Sequence, residues 1–366
     1  MKKTRHIKKR NGRQEQAPKK HIRQIDILKG LAIISVILIH TFSDQYLMAI
    51  GAPFYIYQAV PVFILVAAFT STYALVTYQK RTLTQCYDTS IIIRRLKRIL
   101  GPYLIIWIIQ LLIILYIVTL NLNIQFQYLN HFSYHGFDLI LNFFSGGQGP
   151  GSYFIPVILQ QILLIPIFYY LALRSPDYML VVIFILDLCL EYLAIITGIP
   201  PWLYTLLYIR YMFAGALGVW LVFQKDAIPK WLFIGVLASF VYIFAVQYLN
   251  FQFWFIYPAW GFFHAFSYFW TVILVILGLR LLPSGSFRGI FTILEKLGKA
   301  SWHIFLVQMT FLFFLWPIFV QFADSVISVI LLPIINLTAC LFLGYGFYLL
   351  HVYVSRNYSW MNIISS

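Results

Sequence analysis

The sequence predicts an all-α, polytopic membrane protein of about ten transmembrane helices. Three observations carry that prediction. Of 366 residues, 61% are hydrophobic and only 10% are charged, with a mean hydropathy of +0.83; soluble domains carry about 25% charged residues. Apolar stretches long enough to cross a hydrocarbon core of about 30 Å recur along the chain. Among the connections between those stretches, Lys and Arg fall only in alternate ones. Backbone groups in lipid must be satisfied internally, so stretches this long and continuous demand helices rather than barrel strands.

Taken in order, the spans fall at roughly 25–43, 57–78, 99–120, 152–172, 178–197, 203–223, 231–249, 257–281, 301–321 and 326–353. With the amino terminus inside, the inner connections are 79–98, 174–177, 224–230 and 282–300. They carry Lys80, Arg81, Arg94, Arg95, Lys97, Arg98, Arg174, Lys225, Lys230, Arg288, Lys296 and Lys299. The outer connections near 44–56, 121–151, 198–202, 250–256 and 322–325 carry no Lys or Arg. This positive-inside pattern predicts cytosolic amino and carboxyl termini.

Residues 1–24 hold ten Lys or Arg and no apolar periodicity, which reads as a disordered basic cytosolic tail. Residues 25–353 read as one integral membrane domain and 354–366 as a short cytosolic tail. The net charge of +15 is placed to orient the chain and touch anionic headgroups, not to bind nucleic acid. The first apolar stretch has no small-residue cleavage site and is not a signal peptide. Segment 138–151 ends in Ser145-Gly-Gly-Gln-Gly-Pro-Gly151. It is too short and glycine-rich to span, and reads as a re-entrant or interfacial piece on the outer side. Cys86, Cys189 and Cys340 are scattered and form no disulfide or metal pattern. No metal and no permanently bound cofactor is expected.

The first span carries an unusual polar stripe. Lys29 and His40 are eleven residues apart, about 16 Å and three helical turns, so they share a face. Asp26 joins that face one turn before Lys29. Ionisable groups inside a bilayer are costly and mark function, and a neutral imidazole near pH 7 suits general-base work. The bland alternative for His40 is an interfacial histidine bonded to a neighbour. A second group is Arg94, Arg95 and Arg98, at the inner end of the third span before Pro102. Arginine forks suit phosphate oxygens; the alternative is a positive-inside anchor. A third is Arg210, deep in the sixth span, with Asp187 and Glu191 in the span before it. They form either a buried Asp187–Arg210 ion pair or the wall of a polar chamber. His264, His303 and His351 lie in apolar runs and read as packing histidines; His131 and His135 read as loop residues. No HExxH, GxSxG, Walker or CxxC pattern is present.

These residues resemble the membrane acyltransferase-3 family, bacterial enzymes that O-acylate cell-surface glycans. Four stretches over about residues 22–350 carry the resemblance. Asp26-Ile-Leu-Lys29 through His40 is similar to a motif with arginine eleven residues before the histidine. Arg95-Leu-Lys-Arg98 resembles its Arg-x-x-Arg motif. Gly151-Ser-Tyr153-Phe154 stands where the family often has Trp-Phe. Gly298-Lys-Ala-Ser301-Trp302-His-Ile-Phe305-Leu-Val-Gln308 is similar to a stretch that ends in histidine. Lys29, Tyr153 and Gln308 are departures; Lys29 keeps the charge but loses the planar fork. The chain resembles the stand-alone form, without a soluble esterase-like domain.

The resemblance implies a multi-pass enzyme of the bacterial plasma membrane that uses acyl-CoA as donor substrate. Arg94, Arg95, Arg98 and Lys29 would hold the donor. His40, with Asp26 and Lys29, would carry the chemistry. Arg210, Asp187, Glu191, Tyr153 and Gln308 would shape an acceptor chamber for a glycan or lipid-linked sugar receiving an acetyl or succinyl group. A homo-oligomer or a glycan-synthesis partner is compatible with this. The competing readings are an exporter or flippase of polysaccharide or lipid-linked sugar, and a structural or sensory subunit.

Overall fold

The computed structural model describes residues 21–120, 136–224, 228–259, 261–285, 289–315 and 326–357, with side chains of the last stretch from 331 onward. Among them every regular element is helical. The α-helices in chain order are α1 (Arg23–Ile39), α2 (Asp44–Ala49), α3 (Ala59–Thr77), α4 (Leu83–Cys86), α5 (Thr89–Thr119), α6 (Asp138–Phe144) and α7 (Phe154–Ala172). They continue with α8 (Pro176–Ile196), α9 (Pro201–Leu206), α10 (Met212–Phe223), α11 (Lys230–Tyr248), α12 (Tyr268–Leu281), α13 (Ile290–Phe314) and α14 (Val326–Asn357).

Helix occupies each of the ten expected stretches. Seven segments are individually long and apolar enough to cross a membrane. The segments around α10 and α12 are shorter apolar helices, and α1 has 17 residues that include Arg23, Asp26 and Lys29. Large apolar side chains face outward on the flanks of the bundle, among them Leu112, Leu115 and Val118 of α5 and Ile234, Leu237 and Val241 of α11. Such faces need lipid rather than water around them. His131, His135, the outer connection 322–325 and most of both tails lie outside the described residues.

Helices α1, α3, α10 and α13 form the centre. α1 packs on α13, α3, α12 and α14, while α10 packs on α3, α7, α8 and α12. The tightest crossing is between α1 and α13. A Cβ on Gly298 would lie 1.7 Å from the carbonyl oxygen of Asp26, so only glycine lets the two backbones meet. Small residues at crossings are how helices associate in lipid, where apolar burial gives no drive.

Three expected boundaries are corrected. The helix of the third span begins ten residues before 99: α5 runs from Thr89, capped by the Asp88 side chain on the Ser90 N–H, so Arg94–Arg98 is part of the helix itself. The sixth span is not continuous. It breaks after α9, and Leu207 is extended before a 3-10 turn at Ile209–Tyr211 leads into α10. The backbone freed at the break is satisfied by one side chain of α7. Gln160 Nε2 donates to the Leu206 carbonyl at 2.6 Å and Gln160 Oε1 accepts from Tyr208 N–H at 3.1 Å. Irregular backbone at membrane depth needs such a partner. The eighth span starts as irregular chain and becomes helix only at a 3-10 turn, Ala265–Ser267.

Segment 138–151 folds back into the bundle. After α6, residues 145–150 are all buried. One face of α5 holds this loop. Tyr103 Oη donates to the Phe143 carbonyl at 2.6 Å, and Trp107 Nε1 donates to Asn142 Oδ1 at 3.1 Å. Gln110 then clasps Gln148 twice: its Nε2 donates to the Gln148 carbonyl at 3.0 Å and its Oε1 accepts from Gln148 N–H at 3.1 Å.

Candidate active site

The basic end of the bundle gathers the first stripe residues. Lys29 Nζ lies 2.6 Å from Asp26 Oδ1, a one-turn pair whose other oxygen is 2.7 Å from His21 Nε2. Arg98 of α5 and Lys299 of α13 are near enough to act on Lys29 electrostatically. Lys299 is held by Glu295 at 2.6 Å, and Glu295 also accepts from Arg23 Nε at 2.5 Å. The acids of this end are therefore engaged in cations of α1 and α13. Arg98 is exposed and makes no hydrogen bond or ion pair with a described residue. Arg95 is half-buried and donates to the Ser71 carbonyl of α3 at 3.1 Å, which ties part of its fork to structure. Arg94 is exposed.

At the other end of α1, His40 borders a cavity of about 650 Å³. Asp44, Tyr57, Tyr153, Trp202 and Gln247 share its wall with the glycine loop. Its size falls in the usual range for small-molecule sites, roughly 300–1,000 Å³. The loop approaches the imidazole at Gly151, whose φ of +86° is a left-handed conformation that glycine adopts without strain. The same site is backed by Phe305, which lies under Phe154 with ring centroids 5.5 Å apart.

Of the five residues expected around the acceptor, Tyr153 lines this cavity. The other four are completely buried and do not line it. Asp187 and Arg210 form no ion pair. Asp187 Oδ2 instead accepts from the Phe213 N–H at 3.1 Å, at the start of α10, where a carboxylate complements the helix dipole. The Arg210 guanidinium lies between two rings, 4.4 Å from the centroid of Tyr153 and 4.6 Å from that of Tyr211. Through that stack it braces the cavity wall from behind. Glu191 accepts from Tyr204 Oη and, at 3.1 Å, from the Tyr257 N–H; His264 Nδ1 stands 3.3 Å away. It fastens the chain after α11. Gln308 is buried, with no hydrogen-bond partner for either amide atom among the described residues.

Sequence reasoning missed Tyr103, Trp107 and Gln110, although their spacing puts them on one helix face. It also missed Asp44, Tyr57, Trp202 and Gln247. Their signal is weak, because each is an ordinary polar or aromatic residue in a connection or at a helix end. His303 and His351 meet across α13 and α14, Nε2 to Nδ1, at 3.0 Å. Among the described residues no group of three or more metal-ligating side chains forms.

Apolar helices with lipid-facing flanks and a polar stripe through the centre make this an all-α polytopic membrane protein. A family model described as an acyltransferase domain matches residues 22–353, which takes in the stripe, the arginine motif, the glycine loop and α13. The chain belongs to the membrane acyltransferase-3 family. No curated protein and no solved structure matches it.

Proposed function

We propose that this acyltransferase moves an acyl group, acetyl or succinyl, from cytosolic acyl-CoA to a hydroxyl of a cell-surface polysaccharide or lipid-linked glycan outside the membrane. One observation carries the reading. A single helix, α1, has Lys29 in a cluster of cations at the basic end and His40 in a cavity at the opposite end. The basic end faces the cytosol by the charge asymmetry of the connections.

Donor binding follows from the charges. Arg98, with Lys29 and the exposed Arg94, offers cations to the CoA phosphates, and Arg95 adds the part of its fork that Ser71 leaves open. The thioester then extends along α1 toward His40. The acceptor hydroxyl enters the cavity from the outer side and gives its proton to the imidazole as its oxygen attacks the thioester carbonyl. The carbon–sulfur bond breaks, and the thiolate of CoA takes the proton from the imidazolium. Ester and CoA thiol leave, and no proton is gained or lost. The apolar packing of the bundle keeps water from the thioester.

The test is CoA release from labelled acetyl-CoA by the purified protein, with and without glycan. Wild type releases CoA faster with glycan and labels it. His40→Ala, at equal expression, loses about 100-fold or more. Activity of His40→Ala within a few-fold of wild type removes His40 from the mechanism, and glycan that moves across vesicles without labelling indicates an exporter.

A further inference from the structure

Beside the His40 cavity lies a second hollow of about 230 Å³, between the end of α11 and the chain that follows it. Gln247 and Gly261 border both spaces, so the two are neighbours along one surface. The lining of the smaller one is distinctive. It contains the side-chain amides of Gln247, Asn250 and Gln252, the rings of Tyr242, Phe253 and Tyr257, and no charged residue. None of the three amides makes a hydrogen bond to a described residue. Asn250 has a left-handed φ of 52°, the conformation in which a short polar side chain is tolerated, and this turns the chain out of α11.

The hollow is held in shape from beneath. Glu191 accepts from the Tyr257 N–H at 3.1 Å, Tyr257 Oη donates to the Ile199 carbonyl at 2.5 Å, and Tyr257 stacks on Tyr204 with centroids 4.1 Å apart. The buried carboxylate thus acts as a positioning residue for this surface.

We infer that this hollow is a subsite for a neutral sugar ring, the neighbour of the unit acylated beside His40. The inference rests on the glycan reading above and narrows its acceptor to an uncharged chain of two or more rings. Each amide both donates and accepts, which matches the hydroxyls of a sugar. Aromatic faces suit its apolar C–H surfaces, and the space is small beside drug-sized pockets of roughly 300–1,000 Å³, as a single ring requires. A polyanionic acceptor has no counter-charge here, since the outer connections carry no Lys or Arg.

The test uses purified protein, labelled acetyl-CoA, and monomer through tetramer of β-linked glucose and of β-linked N-acetylglucosamine, with an oligomer of glycerol phosphate as the anionic probe. At least one neutral tetramer outperforms its monomer in kcat/KM by about tenfold or more, and the anionic oligomer gives no stimulation. The double variant Asn250→Ala/Gln252→Ala erases about tenfold of that preference, chiefly through KM, as loss of two hydrogen bonds demands. Equal use of monomer and tetramer, a preference unchanged in the double variant, or preferred use of the anionic oligomer overturns the subsite. Tetramer binding is also measured by calorimetry without donor. Binding that the double variant weakens, but without transfer, keeps the subsite and defeats the acyl-transfer reading; absence of binding and of transfer defeats the subsite.

Discussion

Gly151 stands directly beside the His40 imidazole: a Cβ built on it would lie 3.9 Å from His40 Nε2 and 3.1 Å from the Phe305 ring. The loop that carries Gly151 therefore lines the cavity right against the imidazole. Gly151→Ala adds a methyl in the gap and forces a side chain onto a φ of +86°, a backbone strain of roughly 1–3 kcal/mol. The expected result is a fall in kcat of about tenfold or more with expression retained, read as acceptor-dependent CoA release. Undiminished kcat would place the reacting atoms away from this loop.

Gln110 holds the same loop at a distance. It bonds both backbone groups of Gln148 and reaches Thr310 Oγ1 at 3.0 Å, so it ties α5, the loop and α13 together. Gln110→Ala leaves buried polar groups unmet, at about 1–3 kcal/mol for each. A lowered thermal midpoint together with reduced activity is expected, and Gln110→Glu restores only the acceptor half of the clasp. A midpoint identical to wild type would show that the loop is fixed by other contacts.

Lys29 separates donor binding from simple anchoring. It pairs with Asp26 at 2.6 Å yet shares its neighbourhood with two further cations, Arg98 and Lys299. That surplus of positive charge fits an anionic ligand. Lys29→Arg should keep or improve the apparent affinity for acyl-CoA, and Lys29→Gln should weaken it by about tenfold, with added salt mimicking part of the loss. Wild-type affinity in Lys29→Gln would reduce Lys29 to a residue that extends toward headgroups.

The helical architecture was legible because apolar length and charge asymmetry act locally. The stripe Asp26–Lys29–His40 was legible for the same reason, since helix geometry alone sets which residues share a face. The break between α9 and α10 was not. Apart from Thr205 and Arg210 its run is apolar, and the group that satisfies the free backbone, Gln160, lies on another helix 46 residues from Leu206. The same holds for the charges of the fifth and sixth spans. Sequence depth left Asp187 and Arg210 as either an ion pair or the wall of a chamber; instead the guanidinium lies against the rings of Tyr153 and Tyr211, and the carboxylate caps α10 through Phe213. Partners that come from remote segments leave no periodic trace. The cavity wall shows this most clearly, because Asp44, Trp202 and Gln247 come from three separate parts of the chain.

Transfer across the membrane along α1 is open to measurement in sided vesicles. The protein is reconstituted so that labelled acetyl-CoA meets only the face with the basic tail and glycan only the opposite face. Labelled glycan is expected on the side away from the CoA, and none with His40→Ala. Label that appears only when donor and glycan share one face would contradict transfer across the membrane.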